Sequence, residues 1–218
     1  MKPNPILVIE FTKKLYKNIF SDYFDEFETL ENIYEFVHKC LPFSQIEFLN
    51  LVEKIKNKLS KDIEFYLVSD PATTLKEEII LASLPFFAIY SYRLAHELKN
   101  SKCEITPRII STYAQSKTAI DIHPDALIGA PFFIDHGFGI VIGQTSVIGN
   151  YVKLYHGVTL GAISTNPKYL SKFTKRHPTI KDNVTIYANA SILGGNTIIG
   201  KNQVIPLGAI IKNSLPDK

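Results

Sequence analysis

Cysteine is scarce in this chain of 218 residues: Cys40 and Cys103 stand alone, with no CxxC spacing between them. Neither a disulfide framework nor a zinc–thiolate site follows from two such residues. An excess of one charge is also missing. Charged residues make up 21% of the chain, the net charge is +3, and no Lys/Arg block is interleaved with aromatics. That excludes the usual footprint of a nucleic-acid binder. Long hydrophobic runs are absent too. The longest, IILASLPFFAIY from Ile79 to Tyr90, is well short of the ~20 residues a bilayer span needs. Pro85 inside it predicts a kinked, buried helix. The N-terminus, MKPNPILVIEF, has no apolar segment ending in a small-residue cleavage site, so no signal peptide is read there. Together these absences predict a cytoplasmic protein without membrane or nucleic-acid partners.

What is present divides into two periodicities. From Ile6 to Thr118 the pattern is helical. In LENIYEFVHKCL the apolar residues Leu30, Ile33, Tyr34, Val37 and Leu41 recur at three and four, giving one buried face. Ser44 is placed to cap the next helix, LKEEIILASLPFFAIYSYRLAHELK reads as one long apolar helix, and Pro107 can open another. Beyond Ala119 the step becomes six. Ile122, Ile128, Ile134, Ile140, Val152 and Val158 follow it, with Ser146 interrupting, and a second aliphatic row runs through Ile142, Ile148, Leu154 and Leu160. After a non-periodic stretch, Ile180, Ile186, Ile192, Ile198, Val204 and Ile210 resume it.

Neither a 3.6-residue nor a two-residue period produces that spacing; a parallel β-helix of hexapeptide repeats does. Three hexads make one triangular coil, each repeat aliphatic points inward, and Gly129, Gly143, Gly149, Gly161 and Gly200 suit corners needing positive φ. Val158 to Ile180 is not a multiple of six, so ISTNPKYLSKFTKRHP leaves the coil as a loop. The expected organisation is a helical domain over 1–118 and a β-helix over 119–212. A loop is inserted at about 163–177, and a short tail covers 213–218.

The stretches DIHPDALIG, DHGFGIVIGQT, GVTLGA, KRHPTI and ANASILGG, with SDPA and YRLAHEL upstream, resemble the serine O-acetyltransferases. These are hexapeptide-repeat acyltransferases that make O-acetylserine for cysteine biosynthesis. The resemblance implies an α+β chain, an α-helical N-terminal domain followed by a left-handed parallel β-helix, and transfer of acetyl from acetyl-CoA to the hydroxyl of L-serine. A serine hydroxyl attacks a thioester only as a base removes its proton, and imidazole titrates in the right range. The resemblance makes His136 that base and Asp121 the carboxylate that orients it. The resemblance also makes His177 the second active-site histidine, Asp70 and Asp135 the acidic partners of the amino acid, and Arg176 the partner of its carboxylate. Ala162 and Ala188 match positions along the CoA pantetheine. No metal is implied. Homotrimers with sites between subunits, paired into hexamers, are the implied assembly.

His38 and His96 are read as helix packing or surface residues and His123 as structural in its turn, while His156 matches no catalytic position. The chain departs from the family pattern in carrying Gln144 where glutamate is usual. Its loop before Arg176 is longer than the short glycine-rich form. The chain stops at IIKNSLPDK without the flexible tail that many members carry, so association with the next enzyme of the pathway is not expected. Three rival readings share the fold: transfer to another hydroxyl acceptor (homoserine, a sugar or an antibiotic), a γ-class carbonic anhydrase with zinc on His136, His156 and His177, and a non-enzymatic scaffold.

Overall fold

The computed structural model describes residues 3–38, 41, 43–99, 105–164 and 174–218; Cys40, Cys103 and the middle of the expected loop lie outside them. Among the described residues six α-helices come first: α1 (Pro5–Ile19), α2 (Leu30–Val37), α3 (Gln45–Ser69), α4 (Lys76–Ala82), α5 (Leu84–Leu98) and α6 (Thr106–Thr118). Ser44 caps α3 with a complete capping box: its hydroxyl accepts from Glu47 N–H, while the Glu47 carboxylate accepts from Ser44 N–H at 2.8 Å. Pro107 sits in the first turn of α6, where its missing N–H costs nothing.

The long apolar segment does not form one kinked helix. It breaks into α4 and α5, bent by 74°, because Ser83 takes an extended conformation and caps α5, accepting from Phe86 N–H at 3.2 Å. Pro85 therefore lies in a first turn rather than in a helix interior. Among the described residues no single helix is long and apolar enough to cross a membrane.

Among the described residues thirteen short strands follow: β1 (Asp121–Ile122), β2 (Leu127–Ile128) and β3 (Phe132–Asp135) form the first coil. Then come β4 (Val141–Ile142), β5 (Val147–Ile148) and β6 (Val152–Tyr155), and β7 (Thr159–Gly161), β8 (Thr179–Ile180) and β9 (Thr185–Ile186). Last are β10 (Ser191–Leu193), β11 (Ile198–Ile199), β12 (Val204–Ile205) and β13 (Ile210–Ile211). All pairings are parallel, and the strands stack into three flat sheets, β1-β4-β7-β10-β13, β2-β5-β8-β11 and β3-β6-β9-β12. The result is a left-handed parallel β-helix, a triangular prism whose axis is filled by three aliphatic columns. These are Ile122, Ile142, Leu160, Ile192 and Ile211; Ile128, Ile148, Ile180 and Ile199; and Ile134, Leu154, Ile186 and Ile205.

Two features of the hexad reading need correction. Ile198, Val204 and Ile210 continue the six-residue step but point outward, 40%, 51% and 71% exposed. One extra residue at the turn after β10, where Gly194 has φ +104°, moves the register by one. Because strand side chains alternate faces, Ile199, Ile205 and Ile211 then turn inward instead. The five corner glycines also serve a different purpose from the one expected. None has positive φ; those positions belong to other glycines and to residues such as Asn183, Asn189 and Asn202. They permit close approach between neighbouring segments, as when a Cβ on Gly129 would lie 2.5 Å from Asn150 Oδ1.

The helices seal the open end of the prism. Tyr66 Oη donates to Ile134 O at 3.0 Å and Tyr92 Oη to Ala126 O at 2.7 Å. The guanidinium of Arg93 donates to Ile128 O and Gly129 O at 2.9 and 2.7 Å and pairs with Asp62, which itself accepts from Phe132 N–H. First-coil groups that would otherwise form a bare strand edge are thus bonded by buried side chains. At the other end Leu215 bridges to Ile199 and covers the edge of β11.

Candidate active site

The expected site residues occupy two edges of the prism. One edge is the corner between the β3 and β4 sheets. There β3 carries Asp135 on its outer side, and the chain then turns sharply through His136, whose φ is +55°. A left-handed backbone is uncommon for a residue with a side chain and often marks a functional position. It throws the imidazole outward, 67% exposed, with Nε2 3.6 Å from Asp135 Oδ1. One coil higher, His156 meets His136 edge to face at 5.8 Å and is stacked on by Phe138 at 5.0 Å. Its buried Nδ1 has no hydrogen-bond partner. Higher again, Asn189 N–H donates to His156 O, placing Ala188 on the same corner. Asp70 ends α3 and is engaged in its own turn, accepting from Ala72 N–H and Thr73 Oγ1. Burial first, then the charges of Asp135, Tyr187 and Asp70, raise the Tyr155 hydroxyl above its usual range, so both carboxylates lie within electrostatic reach of that ring.

The second edge is the corner between the β4 and β5 sheets. The returning loop lays His177 directly on Gly143, where a Cβ would lie 2.1 Å from the imidazole; only glycine fits beneath it. Thr145 grips the loop end. Its hydroxyl accepts from Arg176 N–H and His177 N–H at 2.9 and 3.0 Å, and its own N–H donates to His177 Nδ1 at 3.0 Å. A backbone donor on Nδ1 means that this nitrogen is unprotonated in the neutral ring, so Nε2 carries the hydrogen and can donate it. Lys175 Nζ donates to the carbonyls of Thr145, His177 and Pro178. Ala162 follows β7 one coil above Gly143, whose N–H donates to Leu160 O.

Burial, with the charges of Arg176, Lys175 and His123, lowers His177 to about 4. Its unfolded counterpart titrates near 6.5, so His177 contributes stability fully above that value. The contribution is lost as pH falls from about 6.5 to about 4, where only the unfolded chain takes up the proton. Thermal denaturation from pH 7 to pH 4.5 is therefore expected to show a steeper loss for the wild type than for His177→Asn. His96 and His123, also lowered by burial, supply the slope common to both. Parallel curves would mean that His177 titrates alike in both states.

No family model matches the chain. It is 43% identical over 143 residues to the plasmid serine acetyltransferase of Synechococcus elongatus, an alignment covering 64% of this chain and 45% of that protein. The chain spans about half the length of the curated relatives it matches. Among solved structures, serine acetyltransferase 1 of Entamoeba histolytica in complex with L-cysteine superposes with a TM-score of 0.81 at 32% identity, covering all of this chain and 86% of that one. The chain belongs to the serine acetyltransferase family. A family member from Brucella abortus in complex with coenzyme A aligns with a TM-score of 0.74 at 27% identity, over 98% of this chain and 78% of that one.

The residues that match serine acetyltransferase motifs do not converge within one chain. Asp70, Asp135, His136 and Ala188 lie on the first edge; Arg176, His177 and Ala162 lie on the second. Asp121 is in register with Val141, five residues beyond His136, and no hydrogen bond or ion pair joins the two. Between Gly139 and Gly143 the sheet spans roughly 13 Å at about 3.3 Å per residue. Among the described residues no group of three potential ligands could hold a metal. Sequence reasoning missed Thr145, Lys175 and Asp125, and left His123 as a turn residue. His123 in fact lies within electrostatic reach of Asp121, Arg176 and His177. Only the path of the returning loop reveals these contacts, and no motif signals it.

Proposed function

We propose that the protein is a serine O-acetyltransferase, taking acetyl from acetyl-CoA to the hydroxyl of L-serine for cysteine biosynthesis in the cytoplasm, and that each active site forms between two copies of the chain. The observation that carries this reading is the division of the motif residues between two prism edges. When one edge meets a different edge of the next copy, the interface is heterologous, and a three-sided prism closes such contacts into a ring of three. Helical domains can then pair two rings into a hexamer.

In the assembled site Arg176 receives the serine carboxylate in a two-pronged hydrogen bond, and Asp70 and Asp135 receive its ammonium group. His136, oriented by Asp121 across the interface between copies, removes the hydroxyl proton as the oxygen attacks the thioester carbon. His177, fixed as the Nε2–H tautomer, donates to the acceptor. When the tetrahedral adduct collapses, the carbon–sulfur bond breaks and the proton on His136 passes to the departing CoA thiolate. The products are O-acetylserine and free CoA, without a covalent enzyme intermediate. The small side chains of Ala162 and Ala188 let the pantetheine run close to the coils. Holding both reactants together supplies the entropic part of the acceleration.

Thiol release from acetyl-CoA tests the reading, with L-serine, homoserine, a simple sugar or buffer as acceptor. Release should depend on L-serine and fall about 10²–10⁴-fold in His136→Ala, the usual contribution of a general base. Release with another acceptor would replace the substrate, and none with any acceptor would end the transferase reading.

A further inference from the structure

We propose that Asp125 and Gln144 form a relay that positions Arg176 and so sets the affinity of the site for the carboxylate of its acceptor; the assignment rests on the serine acetyltransferase reading above. Gln144 Nε2 donates to Asp125 Oδ2 at 2.8 Å, and Gln144 Oε1 accepts from Arg176 Nη2 at 2.5 Å. A guanidinium only donates and an ionised carboxylate only accepts, so the two partners fix which way the amide faces. A side-chain amide is the neutral group that can satisfy both at once.

The relay crosses two coils. Asp125 lies in the turn between β1 and β2, where its own N–H donates to His123 Nδ1 at 3.1 Å. Gln144 lies in the equivalent turn between β4 and β5. The neighbouring Thr145 holds the Arg176 backbone N–H, so this arginine is fixed at both its base and its tip. Gln144 engages one N–H of a guanidinium that carries five, and the fork of donors suits an incoming carboxylate.

Charge placement gives the relay its effect on affinity. Asp125 balances the guanidinium at one remove, through a neutral spacer, and the positive charge stays available to the acceptor. A carboxylate at position 144 would neutralise Arg176 by direct contact and would also face Asp125 with like charge. Both residues are positioning residues: they act through Arg176 and touch no reacting atom.

The test uses Gln144→Glu, Asp125→Ala and the double variant, with L-serine and with L-serinamide, which lacks the carboxylate. Gln144→Glu should raise KM for L-serine about tenfold with kcat within about twofold, the mark of lost ground-state binding. Asp125→Ala alone should raise KM about threefold, yet in the Gln144→Glu background it should lower KM by removing the like charge. KM for L-serinamide should not move. Equal changes for the two acceptors, or additive effects of the two substitutions, would overturn the relay.

A second readout does not depend on the acceptor. Phenylglyoxal labelling of Arg176, followed by peptide mass spectrometry, should run several-fold faster in Gln144→Leu and Asp125→Ala than in the wild type. Equal labelling rates would overturn the relay even if serine is the substrate. Faster labelling in an enzyme that ignores serine would keep the relay and discard the substrate.

Discussion

Subunits carrying His136→Ala, mixed one to one with subunits carrying His177→Ala, are expected to recover about a quarter of wild-type activity, although each parent is nearly inactive. The reason is the division of motif residues between two edges of the prism. If a site takes its base edge from one copy and its loop edge from the next, the first variant still offers an intact loop edge and the second an intact base edge. Random assembly of a ring puts the right pair at about one site in four. A site built within one chain would give none. Co-expression with two tags ensures mixing, and a reciprocal control sharpens the result. Mixing wild type with the double variant should leave about a quarter of sites intact for a shared site, against about half for a site within one chain.

The fold was legible because the repeat aliphatics obey a step that neither helix nor alternating strand can produce. The faces were less so. An extra residue beside Gly194 is invisible in a spacing argument, yet it exchanges Ile198 for Ile199 in the core, since a one-residue shift reverses every strand side chain. The glycines show a similar limit. Composition marks Gly143 as a tight position, but the His177 ring above it explains why. The candidate site residues could be named one at a time from their motifs. Their separation onto two edges could not, because it depends on which corner of the coil each residue reaches. The first coil is lengthened by two residues around His136, as the register of Asp121 with Val141 shows. The contacts of Thr145, Gln144 and Asp125 depend in turn on the return of the loop.

Arg93, within YRLAHEL, is expected to be the costliest single residue to replace in the helical half. Its side chain is 1% exposed and that of Asp62 is fully buried. Burial pushes the Asp62 carboxyl above its usual range, and Arg93 opposes that rise. Arg93→Leu would leave a buried carboxylate without its counter-charge and the Ile128 and Gly129 carbonyls without their donor. Removing one partner of such a pair typically costs about 3–5 kcal/mol. The expected result is a urea midpoint lowered by a corresponding amount, with Arg93→Lys intermediate because it keeps the charge and loses the fork. Adding Asp62→Leu to Arg93→Leu should recover part of the loss, since no unpaired charge then remains. The consequence reaches the chemistry, because the bonded carbonyls belong to the coil that carries both Asp121 and His136. Hydrogen exchange in that coil should therefore accelerate in Arg93→Leu before exchange in the upper coils does. A change in midpoint worth under about 1 kcal/mol, as for an exposed ion pair, would mean that the helices merely rest on the prism and do not seal its end.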